Sequence, residues 1–371
     1  MIDFNKIRKQ YPGCRNYVYL DNASSGIVSN ETRKAAEWFY KDINRNGNFH
    51  LPEWLDKMEE ARMLLAKLLN ARVDEVAFAP NTSTGMNIFA NMLKGAGEVI
   101  INDLEFPSST FPWINQDFKV HFVKSSNGSV PLERIEKAIT SKTKIIVSSH
   151  VQYGTGFKQD AEKLGKIARK NKHYFVLNAT QSLGALLVDV KKFNVDFLCF
   201  TGIKWLCSGE GAGGLFIKKE NLSRFKPPLA GWFSTKEPLL FNNKKLVHKQ
   251  SAGRFELGGL GLPNIFALGS SIKQRLEIGI ENISERILHL TDELIEGLKE
   301  RGFELISPID RKRRSGIVTV KVREYKRVVQ QLRNSGVLVS GRGGGIRIAA
   351  HFYNNSTDIK RFLAALTMFA R

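Results

Sequence analysis

The sequence predicts an α/β fold: a large, mostly parallel sheet with helices on both faces, followed by a small C-terminal α+β unit. Two observations predict it. Between residues 75 and 219, continuous apolar, β-rich runs alternate with helical patterns, and such runs are what a sheet covered on both faces buries. Near the C-terminus, two further strand patterns flank a helix after a long amphipathic stretch.

The elements follow in order. The run "EVAFAP" (75–80) precedes the helical "STGMNIFANML", and "EVIIND" (98–103) comes next. "TKIIVSSHV" (143–151) leads into the helix "DAEKLGKIARKN", then "YFVLNA" (174–179), "VDFLCFTG" (195–202) and "GGLFIKK" (213–219). Residues 261–302 carry an amphipathic helical pattern into the second unit. There "GIVTVKV" (316–322) and "GIRIAA" (345–350) flank the helix "EYKRVVQQLRNSG". The polar motifs fall at the ends of the strand patterns, and open α/β sheets bind ligands at the carboxyl ends of their strands.

Composition narrows the class. The chain has 371 residues, 42% of them hydrophobic, enough for a substantial core. No run reaches the about 18 apolar residues a membrane span needs, and "MIDFNKIRKQYPG" lacks the apolar centre of a signal peptide. The expectation is a soluble, cytoplasmic protein with no membrane partner. Cys14, Cys199 and Cys207 form no CxxC pair, which argues against a disulfide framework or a bound metal. Lys and Arg exceed Asp and Glu by 56 to 36, a net charge of +20. The basic residues are spread along the chain, and the densest cluster, "DRKRRSG" (310–316), reads as a solvated loop. No nucleic-acid motif accompanies it, so attraction of an anionic substrate or cofactor, or a Lys-rich surface, is the reading preferred over a nucleic-acid partner.

The segment "FLCFTGIKWLCSGEGAGGLF" carries the clearest chemistry. Lys204 follows a buried strand, and an amine in apolar surroundings has a lowered pKa and attacks aldehydes. Glycines at 209, 211, 213 and 214 allow close backbone packing. "NTSTGMN" (81–87) joins a strand to a helix start, which is an anion site or an ordinary cap. In "EFPSSTFPW" (105–113), Phe106 either lies over a flat ring or belongs to the core.

Together "YLDNASSG" (19–26), "NTSTGMN", "EFPSSTFPW", "SSHVQYGTG" (148–156), "NATQSLG" (178–184), "TGIKWL" (201–206), "GRFELGG" (253–259) and "IRIAAHFYNN" (346–355) resemble the class V aminotransferases in order and spacing. These enzymes have the type I fold of pyridoxal 5′-phosphate enzymes and include cysteine desulfurases, selenocysteine lyases, isopenicillin N epimerase-like proteins and kynureninases. The resemblance implies a large cofactor domain over residues 15–255, and a small domain over 256–371 with residues 1–14. It implies that Lys204 carries the cofactor as a Schiff base and moves protons at the substrate α-carbon. Ser83, Thr84 and Thr201 would hold the phosphate, and Phe106 would stack on the pyridine ring. Gln181, with Gln152, would reach the ring hydroxyl, and Asn178 would face the ring nitrogen. Arg347 would bind the substrate carboxylate, for which a planar fork is suited; a salt-bridged structural arginine is the alternative. His50, in "NRNGNFH", would line the entrance or be a plain surface histidine. "GRFELGG" corresponds to a segment that the family sends across a homodimer.

The sequence departs from the family at several points. Asn178 stands where the family has Asp, so the slot contributes no charge to the ring nitrogen. Ile203 replaces a frequent His, and Gly259 replaces a frequent Thr at the phosphate. The loop "SGRGGG" (340–345) lacks the nucleophilic cysteine of a desulfurase, and Phe106 stands where desulfurases carry His. The family resemblance, rather than any of these departures, implies an activity of the aminotransferase type on a small amino acid. A C–S or C–Se lyase, an epimerase, and a catalytically degenerate scaffold remain as alternatives.

Overall fold

The computed structural model describes residues 2–370. Its strands in chain order are β1 (Val18–Tyr19), β2 (Val76–Ala79), β3 (Glu98–Asn102), β4 (Val120–Val123), β5 (Thr143–Ser149), β6 (Tyr174–Asn178), β7 (Phe197–Thr201), β8 (Gly213–Ile217), β9 (Ile317–Val320), β10 (Val337–Leu338), β11 (Ser340–Arg342) and β12 (Gly345–Ala349). The central sheet has seven strands in the order β2-β8-β7-β6-β5-β3-β4. The pairs from β4 through β7 are parallel. β8 runs antiparallel to both β7 and β2, so the sheet is mixed at that edge.

Both faces of the sheet are covered, as the continuous apolar runs require. In β5, Ile145 and Val147 enter one core with Met86, Phe89 and Trp113. Ile146, between them, enters the opposite core with Phe175, Leu177 and Leu198. This alternation is the period of two expected of a strand buried on both faces.

A third core gathers Leu290, Leu294, Val318, Val320, Ile346, Ile348 and Phe362. Val18 and Leu20 belong to it too, and β1 pairs in parallel with β10. Thus residues 18–20, which the sequence assigned to the large domain, pack with the C-terminal unit. A two-residue strand has no periodicity that would announce this. The helix Leu262–Ile278 packs on the helices Asn30–Asn46 and Leu51–Leu69, and its Ile265, Leu268 and Ile272 lie in a core of the central sheet.

This architecture positions the site. β5, β6 and β7 end in parallel at Ser149, Asn178 and Thr201, side by side. The helix Thr82–Met92 begins close by, capped by the Asn81 side chain, which accepts from the Thr84 backbone N–H.

Candidate active site

Lys204 lies three residues beyond β7, on a turn held from two sides. The Gly26 N–H donates to the Ile203 carbonyl at 2.7 Å, and Asn22 Nδ2 donates to the Lys204 carbonyl at 3.3 Å. A Cβ on residue 26 would stand 2.3 Å from that carbonyl oxygen, so this close approach requires glycine. The turn is also fixed from the C-terminal unit, where His351 Nε2 bonds the Trp205 carbonyl at 2.9 Å.

The Lys204 side chain projects into a cavity of about 220 Å³. Its Nζ makes no hydrogen bond or ion pair among the described residues and lies 5.6 Å from the centroid of the Phe106 ring. Burial pushes this amine down from 10.5 to about 8; Arg347 adds to the lowering, Asp21 opposes it and Arg342 adds a smaller push. Near neutral pH a useful fraction is therefore uncharged and nucleophilic.

The cavity brings together Ser83, Phe106, Asn178, Gln181, Thr201 and Lys204, six of the residues assigned from sequence. Asn178 Oδ1 accepts from the Thr180 N–H at 2.9 Å. That bond fixes the amide orientation, so Nδ2 is the atom left to donate, to Ser109 Oγ at 2.9 Å and with its second hydrogen elsewhere. Gln181 donates from Nε2 to the Ala23 carbonyl at 3.0 Å and accepts from Trp205 Nε1 at 2.8 Å, which locks its side chain. Phe106 meets Tyr153 edge-on, with ring centroids 5.1 Å apart. At the helix start, Ser83 Oγ pairs with Ser108 Oγ at 2.8 Å, and Thr82 with Thr180 at 2.6 Å.

Arg347 is buried, on β12. It donates to Ser340 Oγ (3.2 Å), the Tyr153 carbonyl (3.0 Å) and Ser24 Oγ (2.7 Å), and reaches Asp21 Oδ1 at 3.5 Å. Its partners Asp21 and Ser24 come from "YLDNASSG".

Arg347 does not line the cavity itself, and three further assigned residues lie elsewhere. Thr84 turns its hydroxyl to Asn81 Oδ1 at 3.3 Å and lines a neighbouring cavity with Gly259. Gln152 is buried beneath the site, where its Nε2 donates to Glu105 Oε1 at 2.8 Å. His50 precedes the helix Leu51–Leu69, and its Nδ1 bonds Asp42 at 2.8 Å. In each case a nearby acceptor captures the side chain. In turn, the sequence did not assign Asn81, Thr82, Ser108, Ser149, Tyr153 and Thr180, which also line the cavity. All sit inside or beside quoted motifs, so proximity along the chain was the available signal. A larger cavity of about 600 Å³, around His150, Lys158 and Arg313, contains none of the assigned residues.

Known proteins resemble this chain along its whole length. A probable cysteine desulfurase of Pyrococcus abyssi is 29% identical over 97% of this chain and 96% of its own length. An uncharacterized aminotransferase, YcbU, of Bacillus subtilis is 26% identical over 95% of this chain and 94% of its own. The apo structure of a cysteine desulfurase from Thermococcus onnurineus NA1 superposes with a TM-score of 0.92 at 25% identity, covering 100% of this chain and 98% of that one. The family model described as aminotransferase class-V matches residues 18–362, so the chain belongs to the class-V aminotransferase family, whose enzymes use pyridoxal 5′-phosphate.

Proposed function

We propose that this chain is a pyridoxal 5′-phosphate enzyme that acts at the α-carbon of a small amino acid, with Lys204 as its catalytic residue and a reaction of the aminotransferase type. The observation that carries the proposal is the Lys204 amine: buried, lowered to about 8, without a partner among the described residues, and facing a cavity lined by Thr82, Ser83, Thr201, Phe106 and Asn178.

The residues present fit the cofactor. An uncharged amine suits an aldehyde. The hydroxyls of Thr82, Ser83 and Thr201, at the start of a helix and the end of β7, suit a phosphate. The Phe106 ring suits the face of a pyridine, and Asn178 Nδ2 suits a ring nitrogen that carries no proton. When bound, the cofactor supplies an electron-withdrawing ring that draws charge from the substrate α-carbon. Lys204 then serves as nucleophile and as carrier of the α-carbon proton. Arg347 orients the substrate through its α-carboxylate, which takes the place of Ser24 and the long contact to Asp21. Gln181, locked at both ends, holds the wall beside Lys204.

A C–S lyase is the second reading, favoured by the desulfurases among the similar proteins. Desulfuration through a thiol of the chain is disfavoured by three facts. Burial pushes Cys14 up to about 12 and Cys207 up to about 11, and raises Cys199 as well. All three are buried. The 340–345 hairpin holds none of them. A homodimer is also part of the proposal, supported by the exposed apolar side chains Leu229, Trp232, Leu240, Phe241 and Leu246. No helix among the described residues is long and apolar enough to cross a membrane.

The test is direct. The purified protein with pyridoxal phosphate is reduced with borohydride and mapped by peptide, and the label is expected on Lys204. A label on another lysine, or none, overturns the assignment. Amino acids are then screened for release of a keto acid against release of sulfide; sulfide without keto-acid exchange would select the second reading.

A further inference from the structure

We infer that Arg342 is a second carboxylate receptor at the mouth of this site, and that the substrate is an amino dicarboxylic acid of aspartate or glutamate size. The inference rests on the proposed function and names its substrate class.

The hairpin of β11 and β12 carries the argument. Its register sets Ser340 opposite Arg347 and Arg342 opposite Gly345. Alternate residues of a strand share a face, so Arg342 and Arg347 are diagonal neighbours on one face, about 7–8 Å apart at the backbone. That face meets the site at Arg347, which bonds Ser24 and the carbonyl of Tyr153, a residue of the cavity wall; the charges of both arginines add to the lowering of the Lys204 amine. The tip of the hairpin is seated on the site wall. Gly343 and Gly344 turn with φ of +61° and +82°, and a Cβ on residue 343 would lie 2.3 Å from the Gly154 carbonyl oxygen. Gly154 adjoins Tyr153, whose carbonyl accepts from Arg347 and whose ring packs on Phe106.

The two arginines differ in how they are satisfied. Arg347 already has Asp21, Ser24, Ser340 and the Tyr153 carbonyl. Arg342 is exposed and, among the described residues, has no carboxylate partner; the one side-chain hydrogen bond it makes there is from Nη1 to the carbonyl of its own neighbour, Gly341, at 2.9 Å. Of the two arginines, only Arg347 has an acid within reach among the described residues, Asp21 at 3.5 Å. A substrate with a single carboxylate satisfies Arg347 and leaves Arg342 unpaired. A second carboxylate on the side chain meets the free fork of Arg342, which binds it bidentately. The spacing of diagonal neighbours suits two carboxylates on one short carbon chain.

The experiment titrates the cofactor-loaded protein, by calorimetry, with the unreactive dicarboxylates succinate and glutarate and with the monocarboxylates propionate and butyrate. The dicarboxylates are expected to bind at least about tenfold more tightly, as one charge-assisted pair would provide. Arg342→Gln is expected to remove that advantage while leaving monocarboxylate affinity within about twofold. Equal binding of both classes in the parent protein, or an advantage that survives Arg342→Gln, would overturn the inference. The visible absorption of the bound cofactor, recorded on the same samples, tests the proposed function separately. A cofactor band at Lys204 without dicarboxylate preference sinks the substrate class alone. Preference without any such band sinks the proposed function and leaves Arg342 as an anion receptor.

Discussion

At the scale of single residues, Lys204 and Asn178 face the same cavity from the ends of neighbouring strands. The Lys204 amine is lowered to about 8, chiefly by burial. Below that pH the folded chain holds a buried charge. Between pH 8 and the ordinary value of 10.5 the unfolded chain binds a proton that the folded chain has released, so this group's contribution to stability rises with pH across that window. Trapping of Lys204 by a small aldehyde and borohydride in the cofactor-free protein is accordingly expected to rise with a midpoint near pH 8. Arg347→Gln should move the midpoint upward, because it removes the main charge that disfavours the ammonium; a midpoint near the ordinary value in the parent protein would refute the buried placement. For Asn178, the amide fixed by Thr180 presents a donor where the family has a carboxylate. Asn178→Asp is expected to cost about 1–3 kcal/mol without cofactor, from a buried carboxylate short of partners. Added pyridoxal phosphate should restore that loss, since a protonated ring nitrogen pairs with the new charge. Thermal melts with and without cofactor check this, and an equal loss in both would place Asn178 away from the ring. The grouping of Lys204, Asn178 and Thr201 in one cavity was legible in the sequence, because they end or follow strands buried at all but one residue, whose apolar runs are unmistakable. Thr84, Gln152 and His50 lie outside the cavity for a local reason: each side chain turns to an acceptor, Asn81, Glu105 or Asp42, that no spacing rule reveals.

At the scale of elements, the site depends on two devices that hold loops to strands. The first is the buried pair of Arg62 and Glu256, whose two nitrogen–oxygen contacts are 2.6 and 3.0 Å. Glu256 also accepts from the Phe78 N–H at 2.8 Å, so one carboxylate joins the helix Leu51–Leu69, β2 and the "GRFELGG" segment. Glu256→Gln would leave the buried Arg62 with only the half-exposed Glu59, at 3.0 Å, as counter-charge, and is expected to cost about 1–3 kcal/mol in urea unfolding. A loss below about 1 kcal/mol would mean that the pair is dispensable. The second device is the tip of the β11–β12 hairpin. Gly343→Ala places a side chain in the left-handed region and against Gly154, with an expected cost of about 1–3 kcal/mol. The lifted tip should also make the bond after Arg342 more sensitive to trypsin, which limited proteolysis reads. The long apolar strands of the central sheet were evident from sequence, whereas β1, β10 and β11, with two or three residues each, carry too little pattern to register.

At the scale of the whole molecule, the exposed apolar side chains between residues 229 and 247 ask for a covering surface. Leu240 and Phe241 are 70% and 72% exposed, more than isolated surface hydrophobics need be. If a second copy covers them, Leu240→Arg with Phe241→Arg should convert a dimer into a monomer in analytical ultracentrifugation, and a dimer that persists would move the interface elsewhere. The family resemblance puts residues 1–14 with the C-terminal unit, but the individual contacts are long-range pairings that no local pattern carries. β1 lies beside β10, the Ala349 N–H donates to the Leu20 carbonyl at 2.6 Å, and Arg8 is paired with Asp358 at 2.7 Å. The same early segment, residues 22 to 26, braces the turn that holds Lys204. This arrangement has a consequence for biosynthesis. As the chain leaves the ribosome, the segment bearing the reactive lysine emerges well before β12, which gives Leu20 and Asp21 their partners. The nascent site therefore lacks Arg347 until β12 has been made, and the turn that bears Lys204 gains its second brace, from His351, only after that.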